Sequence, residues 1–405
     1  MLPWRRNLYI MFTAQLFSAV GFALTFPFFP LYVADLGTTT GLSIEFWSGM
    51  AFSAQAFTMM IASPIWGSVA DRYGRKLMVE RAMFGGALIL VMMAFVSSAE
   101  QFVLLRAIQG LITGTVSASN SLVAASAPRE RMGYAMGVLQ VGQWGGIALG
   151  PIIGGTLADA FGFRVPFVVT SVLLFISGLL VLFFVREQFD KNAEASSRTQ
   201  TGFINGWRHV LSMPGVVPTY SLRFMSSLGR SMVTPIMSLF ILSLMSTQTG
   251  ASSFTGLVVG IESAVATASA IYLGRLGDRI GHRRIVLWSA VAAVAIYTPQ
   301  AFVTQAWQLL LLQAAGGVAL GGLVASPSAL LAQYTEPGEE GAVYGIENSI
   351  VAGARAVAPL VGAAVAVSLG YRGVFIMSAL LMLVNILMAA RWLPSHVPER
   401  QLKVV

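Results

Sequence analysis

The stretch Gly67-Ser68-Val69-Ala70-Asp71-Arg72-Tyr73-Gly74-Arg75-Lys76 is the most charged break inside an otherwise apolar sequence. It returns about 207 positions later as Gly274-Arg275-Leu276-Gly277-Asp278-Arg279-Ile280-Gly281-His282-Arg283-Arg284. Both copies follow the pattern G-x-x-x-D-R-x-G, and basic residues or a histidine come next. A string this specific that recurs once indicates an internal repeat, so we predict a chain of two similar halves.

The repeat extends well beyond this motif. At an offset of about 207 or 208 positions, the matching residues are Pro27 with Pro235, Gln55 with Glu262, Gly114 with Gly321, Gly133 and Gly137 with Gly341 and Gly345, Gly150-Pro151-x-x-Gly154 with Ala358-Pro359-x-x-Gly362, and Gly162-Phe163-Arg164 with Gly370-Tyr371-Arg372. A long polar stretch lies between the copies. We therefore predict an N-terminal half over residues 1–186, a cytoplasmic linker over residues 187–214 and a C-terminal half over residues 215–405.

The composition indicates an integral membrane protein. Hydrophobic residues make up 56% of the 405 residues and charged residues 10%, with a mean hydropathy of +0.74. Soluble domains contain about 25% charged residues. The chain has no cysteine, which excludes disulfides, thiolate catalysis and cysteine-based metal sites.

Continuous apolar runs of about 20 residues or more predict membrane-spanning helices, whereas membrane strands would alternate. The predicted spans are residues 8–33, 46–66, 78–97, 101–126, 134–158, 165–185, 216–244, 254–274, 285–304, 307–332, 342–368 and 373–392. The predicted fold is therefore an all-α integral membrane bundle of twelve transmembrane helices in two six-helix parallel repeats. Transporters with such repeats bind their substrate near the bilayer midplane, between the halves.

Basic residues set the predicted orientation. They are concentrated in the loops that follow even-numbered spans, whereas the other loops contain only Arg164 and Arg372. Because cytoplasmic loops carry the excess of Lys and Arg, we expect both termini in the cytoplasm. Topology then accounts for the net charge of +8 without nucleic-acid binding. Residues 203–211 of the linker form either a short amphipathic helix on the inner membrane face or an irregular segment.

Four motifs resemble those of the major facilitator superfamily, and within it those of the twelve-span drug:proton antiporters. They are Gly67 to Lys76, Arg106-Ala107-Ile108-Gln109-Gly110, Gly146-x-x-x-Gly150-Pro151-x-x-Gly154-Gly155, and Gly21 through Pro27-Phe28-Phe29-Pro30. The resemblance covers nearly the whole chain. It implies a bacterial inner (plasma) membrane transporter that exports small amphipathic compounds in exchange for protons by alternating access. Because similar proteins also carry sugars and lipids, a dedicated exporter of a sugar, lipid or metabolite is the alternative.

The repeated motif is the candidate conformational gate. Its residues are Gly67, Asp71, Arg72, Gly74, Arg75, Asp278 and Arg279. We expect Asp71 to accept hydrogen bonds from the start of a neighbouring helix and to pair with a cytoplasmic arginine, which would hold the inner side shut in one state. A tight turn that only sets topology is the alternative.

In the resembled family, the third motif marks antiporters. Its Gly146, Gly150, Pro151 and Gly154 give span five a face of small residues. Small residues permit close helix packing and a proline permits bending. We therefore expect a tight, pliable contact between the halves that gates access.

Charged residues within predicted spans are costly and indicate function. At a rise of about 1.5 Å per residue, Arg230, Glu262 and Arg355 lie near the midplane, and Arg223 and Glu347 lie nearer the cytoplasm. We predict a cluster Arg230–Glu262–Arg355 with an Arg223–Glu347 pair below it. Structural ion pairs between helices are the alternative.

Proton coupling is assigned first to Glu262, with Arg106 and Glu347 as further candidates. Arg106 lies inside span four, where it either takes part in coupling or extends to the outer interface. Asp35 and Glu45 flank the outer loop between spans one and two, and we expect both to be solvated. A part in proton entry or in the attraction of cations is the alternative.

The candidate substrate cavity combines polar, charged and aromatic residues of both halves: Gln55, Arg223, Arg230, Arg355, Phe26 and Gln140. Arginines outnumber acids within the spans. The planar guanidinium is the better partner for carboxylate and phosphate groups. We therefore expect tolerance of, or preference for, anionic or zwitterionic amphiphiles.

Functions of other classes are disfavoured. The motifs include no Ser/His/Asp set, phosphate loop or metal cluster, so we expect no enzyme, no cofactor and no metal. A sensor would need an added soluble domain, for which the linker is too short. The expected partners are small amphipathic substrates, protons and the lipid bilayer, with no nucleic acid, and the expected state is a monomer.

The gate hypothesis predicts that Asp71→Asn impairs transport while expression is unchanged. Losing one charge-assisted hydrogen bond costs about 1.5–3 kcal/mol, which corresponds to about a tenfold loss or more. Asp278→Asn should have a milder effect, because His282 replaces the basic residue of the first copy. Initial transport rates in vesicles that contain equal amounts of protein measure both variants. A rate equal to wild type for Asp71→Asn would rule out this gate.

Overall fold

The computed structural model describes residues 3–126, 128, 131–187, 211–213, 215–245, 249–334 and 340–393. Regular structure within these residues is helical, since only a helix satisfies the backbone of an isolated apolar span. The helices are α1 (Pro3–Thr25), α2 (Phe29–Leu36), α3 (Ile44–Tyr73), α4 (Arg75–Met93), α5 (Ala99–Ile112), α6 (Thr115–Ser126), α7 (Met132–Phe161), α8 (Arg164–Phe184), α9 (Val216–Leu244), α10 (Ala251–Ile280), α11 (His282–Gln300), α12 (Ala306–Tyr334) and α13 (Glu340–Trp392). Residues 203–210 of the possible linker helix lie outside this range.

Seven helical stretches of the described chain are long and apolar enough to cross a membrane. They are Trp4–Leu36, Met132–Phe161, Arg164–Phe184, Val216–Leu244, Ala251–Ile280, Ala306–Tyr334 and Gly345–Trp392. The last contains two predicted spans, which are separated by Gly370 with a φ of 73°. The other predicted spans correspond to α3, α4, α5 with α6, and α11.

Two spans are broken where the sequence predicted continuous helices. In span one, a 3-10 turn at Phe26–Phe28 separates α1 from α2, because Pro27 has no N–H to donate to the helix. In span four, α5 ends at Ile112 and α6 begins at Thr115. Gly114 between them has a φ of 135°, a conformation that is readily open only to glycine.

Both copies of the charged motif form the same turn. Gly74 has a φ of 98° and Gly281 a φ of 95°. Each glycine ends one long helix and precedes the next, so α3 and α10 extend past their predicted ends to Tyr73 and Ile280. We call this end of the bundle the motif side and the other end the opposite side.

The internal repeat is visible in the packing of each half. Helix α1 packs on α7 in the N-terminal half, and α9 packs on α13 in the C-terminal half. The Thr170 hydroxyl donates to the Gly21 carbonyl oxygen at 2.8 Å. At equivalent positions, the Ser378 hydroxyl donates to the Gly229 carbonyl oxygen at 2.9 Å.

The halves meet through α7 against α10 and through α3 against α13. On the opposite side this contact is close, because a Cβ added at Gly49 would lie 2.7 Å from the Pro359 carbonyl oxygen. Toward the motif side the helices separate. Val141 continues the face of α7 that meets α10 and is 67% exposed, and Ile271 on α10 is 58% exposed. The structure is therefore closed on the opposite side and open on the motif side.

Candidate functional site

A buried ion pair ties three helices of the C-terminal half together. Arg223 Nε on α9 lies 2.9 Å from Glu347 Oε1 on α13. The Ser328 hydroxyl on α12 donates to the same oxygen at 2.8 Å, and Arg223 Nη1 donates to the Leu323 carbonyl oxygen at 3.2 Å. Both charges have several polar partners, which is what a buried pair needs to be tolerated.

A second pair, Arg230 with Glu262, is looser. Arg230 Nε on α9 lies 3.8 Å from Glu262 Oε1 on α10, and the two side chains are 41% and 13% exposed. That distance exceeds a normal hydrogen bond. Tyr297 on α11 is close enough to interact electrostatically with both. The guanidinium can therefore move away from Glu262 without breaking a tight contact.

Arg355 completes the charged group but lacks an acidic partner. It is an exposed residue of α13 and lies about two turns beyond Glu347, as Arg230 lies about two turns beyond Arg223, the ion-pair partner of Glu347 on α9. Among the described residues, no carboxylate lies within ion-pair distance of Arg355. We call Arg223, Arg230, Glu262, Glu347 and Arg355 the charged group. Arg355 belongs to it by proximity and not, as the predicted cluster suggested, by pairing with Glu262.

Arg106 is separate from this group and lies inside the N-terminal half. It is 3% exposed, so it does not extend to the outer interface. Its Nε donates to the Ala51 carbonyl oxygen at 2.8 Å, and its Nη1 donates to Gln109 Oε1 at 2.5 Å. The guanidinium carbon also lies 4.6 Å from the Phe29 ring centroid. These contacts hold Arg106 between α5, α3 and α2.

The remaining predicted cavity residues lie in the N-terminal half. Phe26 is 40% exposed, its ring packs edge-on against Phe52 at 4.8 Å, and its 3-10 turn contacts α9 and α10. Gln55 on α3 is half-buried, and Gln140 on α7 is exposed. The turn that holds Phe26 thus contacts the helices of Arg230 and Glu262, and α7, which holds Gln140, also packs on α10.

The gate motif differs between its two copies. The surroundings of Gly67 and the side chain of Asp71 lie outside the described part of the structure. At the start of α4, Glu187 accepts the backbone N–H groups of Arg75 at 2.9 Å and Lys76 at 2.8 Å. A carboxylate at a helix N-terminus is stabilising. No local pattern in the sequence indicated this contact, because Glu187 lies far along the chain.

In the second copy, Asp278 is exposed and its Oδ1 lies 3.1 Å from Nε2 of His282. Asp278 thus contacts the side chain of His282, the first residue of the next helix α11, across the turn at Gly281. Arg72 and Arg279 are exposed on the motif side, and the Arg72 guanidinium carbon lies 5.4 Å from the Tyr73 ring centroid.

The antiporter motif packs on two different helices. A Cβ at Gly146, Gly150 or Gly154 would clash with α1 of the same half. The contact between the halves is made instead by Pro151 and Gly155: a Cβ at Gly256 would clash with the Pro151 carbonyl oxygen, and one at Gly155 with the Ser252 carbonyl oxygen. The expected tight contact between halves is present, but three of the four predicted residues serve the fold of their own half.

Two hydrogen-bonded contacts at the opposite side were missed from the sequence. Asp159, at the end of α7, accepts the backbone N–H groups of Ser252 at 3.2 Å and Ser253 at 2.7 Å. Glu45, at the start of α3, accepts the Tyr371 hydroxyl at 2.9 Å, so the expectation that Glu45 is solvated was wrong. Both contacts join the halves. The two consecutive serines before an apolar run are a sequence signal for the start of a helix. A carboxylate from another part of the chain is stabilising at such a helix N-terminus.

Comparison with known proteins places this arrangement in a family. The sequence profile described as "Major Facilitator Superfamily" matches residues 11–222 and 219–404. The chain belongs to the major facilitator superfamily. Its two matched stretches correspond to the two repeats of the fold.

Several curated relatives are similar over almost the whole chain. "Multidrug resistance protein MdtG" of Dickeya zeae (strain Ech586) is 35% identical, over 95% of this chain and 93% of that protein. The protein of the same name from Enterobacter lignolyticus (strain SCF1) is 34% identical, over 94% and 91%.

Solved major facilitator structures share the fold at low identity. A bacterial homologue of the human lysosomal transporter Spinster superimposes with a TM-score of 0.79 at 12% identity, over 97% of this chain and 98% of that one. A point mutant of the nucleoside transporter NupG gives 0.78 at 15% identity, over 95% and 100%. The family is a transporter family, and enzymatic function is excluded on that ground.

We predict that the Asp159 contact stabilises the start of α10 on the opposite side. Removing a helix cap costs about 0.5–2 kcal/mol, so Asp159→Ala should raise hydrogen exchange of the Ser252 and Ser253 amides by up to about tenfold. Asp159→Asn keeps an acceptor and should have a smaller effect. Asp35→Ala, which changes an exposed carboxylate on the same side, is the control. Unchanged exchange in Asp159→Ala would show that the contact does not hold the halves together.

Proposed function

We propose that this major facilitator protein exports small amphipathic compounds in exchange for protons by alternating access. The observation that carries the proposal is the loose Arg230–Glu262 pair, 3.8 Å apart, in a bundle that is closed on the opposite side and open on the motif side. The multidrug resistance names of its relatives support the substrate class.

The proposed coupling step takes place at the Glu262 carboxylate. A proton that binds a carboxylate oxygen removes its charge and so releases Arg230. A positively charged or hydrogen-bond-donating substrate group competes with the proton for the same oxygens. Because proton and substrate exclude each other there, one leaves when the other binds, as antiport requires. Most intramembrane ionisable residues are functional, and this one has the loosest partner.

The other two coupling candidates have supporting roles in this proposal. Glu347 is held by Arg223 and Ser328, so it fixes α13 against α9 and α12. Arg106 is enclosed by Ala51, Gln109 and Phe29. It ties α5 to α3 and α2, and in the proposed cycle it transmits movement of α3 to α5.

The proposed orientation follows from the basic loops. The motif side faces the cytoplasm, with both termini and the linker of residues 187–214, and the opposite side faces outward across a bacterial inner membrane. The halves are residues 1–186 and 215–405, and the protein works as a monomer. In this orientation the structure is the inward-facing state, in which the antiporter motif helix α7 seals the outer side against α10.

Gating is proposed to alternate between the two sides. On the outer side, Asp159 and Glu45 hold the halves together through Ser252, Ser253 and Tyr371. When these contacts open, the motif side closes through Gly67, Asp71, Arg72, Gly74, Arg75, Asp278 and Arg279. Glu187 then keeps the start of α4 fixed, so that the motif moves with its helix.

Transport in proteoliposomes with an imposed pH gradient tests this proposal. Purified protein should accumulate dyes or antibiotics from a panel that also contains sugars and lipids. Glu262→Gln, which cannot exchange a proton, should abolish gradient-driven accumulation but retain substrate exchange without a gradient. Glu100→Gln, a carboxylate change in the first turn of α5 and outside the charged group, should transport like wild type.

Two outcomes would contradict the proposal. If Glu262→Gln accumulates substrate as well as wild type under the pH gradient, proton coupling does not use Glu262. If only one sugar, lipid or metabolite of the panel is moved, the protein is a dedicated exporter and not a multidrug transporter.

A further inference from the structure

The charged group contains more cations than anions. Arg223, Arg230 and Arg355 face Glu262 and Glu347, so one guanidinium is in excess when both acids are charged. An uncompensated cation that is exposed in a cavity between helices attracts negative charge more strongly than one in bulk water does, because the effective dielectric is lower. A ligand that carries negative charge would therefore be stabilised here.

The excess charge belongs to Arg355. Arg223 forms an ion pair with Glu347 at 2.9 Å and donates from Nη1 to the Leu323 carbonyl oxygen at 3.2 Å. Arg230 shares Glu262. Within the described residues, Arg355 has neither an ion pair nor a hydrogen-bond acceptor, and its neighbours Arg230 and Arg223 repel it. Its exposed side chain is thus available to bind an anionic group.

We propose that Arg355 is the binding site for the anionic group of the substrate, a carboxylate or a phosphate, with Arg230 beside it as a second donor. Arginine presents several N–H donors in a planar fork that matches both groups. This proposal rests on the proposed proton antiport and specifies its substrate class.

The direction of proton coupling narrows that class further. Arg230 is shared between Glu262 and any anion at Arg355. A purely anionic ligand repels the Glu262 carboxylate and draws Arg230 away from it, and both effects favour a proton on Glu262. By linkage, anion and proton then bind together, whereas antiport requires that they exclude each other.

A zwitterionic ligand meets both requirements. Its anionic group binds Arg355, and its cationic group takes the place of the proton at Glu262, the carboxylate on the other side of Arg230. The cationic group therefore competes with the proton. Phe26, exposed on a turn that contacts α9 and α10, offers an aromatic surface for an apolar chain. The substrate class is accordingly a zwitterionic amphiphile.

Binding of three probes with one alkyl chain tests this assignment in lipid nanodiscs. The probes are a short-chain alkyl phosphocholine, the alkyl phosphate and the alkyltrimethylammonium. Wild type should bind the phosphocholine tightest, and its affinity should fall at acid pH while that of the phosphate rises. Arg355→Gln should lose about tenfold in affinity for the phosphocholine and the phosphate and leave the cation unchanged.

Matched variants separate charge from folding. Arg355→Lys keeps the positive charge and should retain the preference for the phosphocholine over the cation. Arg391→Gln removes an exposed arginine near the end of the same helix α13 and should bind all probes like wild type. If Arg355→Gln does not fold, the comparison is made between Arg355→Lys and Arg391→Gln. Loss of the preference for the phosphocholine over the cation in Arg355→Lys would then overturn the proposal.

The result that overturns the assignment differs from the one that overturns antiport. If the cation binds wild type as tightly as the phosphocholine and Arg355→Gln binds both like wild type, the anion site is absent even when proton-driven export is intact. If instead Arg355 governs phosphocholine binding but acid pH strengthens it, the anion site stands and competition with the proton at Glu262 is overturned.

Discussion

Helices α7 and α10 approach so closely on the opposite side that no side chain fits between them. Gly256 faces the Pro151 carbonyl oxygen and Gly155 faces the Ser252 carbonyl oxygen. Such contact requires glycine on both helices, because dispersion attraction between backbones falls off steeply with distance. The separation of the halves on the motif side follows from this contact, since two rigid halves joined at one end part at the other. Asp159 and Glu45 add polar contacts at the same end.

The charges are distributed unequally over a symmetric frame. Gln55 and Glu262 are equivalent in the repeat, as are Arg106 and Gln313, so each half carries a charge where the other carries an amide. Gly110 packs on the Gln55 backbone as Gly317 packs on the Glu262 backbone, which keeps these positions at equal depth. The N-terminal half encloses Arg106, whereas the C-terminal half combines a loose pair with Arg355, which has no ion-pair partner among the described residues. In the proposed cycle, the C-terminal half therefore provides the chemistry and the N-terminal half the aromatic surface.

The frame was predictable from the sequence, because apolar length and an internal repeat are properties of the chain itself. The repeat predicted the paired turns at Gly74 and Gly281, and depth along the helices brought Arg223 near Glu347. The breaks at Pro27 and Gly114 were not foreseen, since both residues lie inside long runs that are apolar on average. Contacts between distant helix ends, such as Asp159 with Ser253 and Glu187 with Arg75, depend on how whole helices dock. Helix α7 is likewise rotated about its axis so that Gly146, Gly150 and Gly154 face α1, and the composition does not determine this rotation.

The central claim is that the motif side and the opposite side open in alternation, and that this alternation is coupled to proton binding and release at Glu262. Because the chain has no cysteine, spin labels can be attached to two introduced pairs, Val141→Cys with Ile271→Cys on the motif side and Thr156→Cys with Ser253→Cys on the opposite side. Pulsed electron–electron distance measurements in nanodiscs should give a long motif-side and a short opposite-side distance at neutral pH. Acidification should shift molecules from the long to the short motif-side distance. The same fraction should shift from the short to the long opposite-side distance, and Glu262→Gln should remove this pH dependence. Distances that change independently of each other, or a pH response that survives Glu262→Gln, would contradict the account.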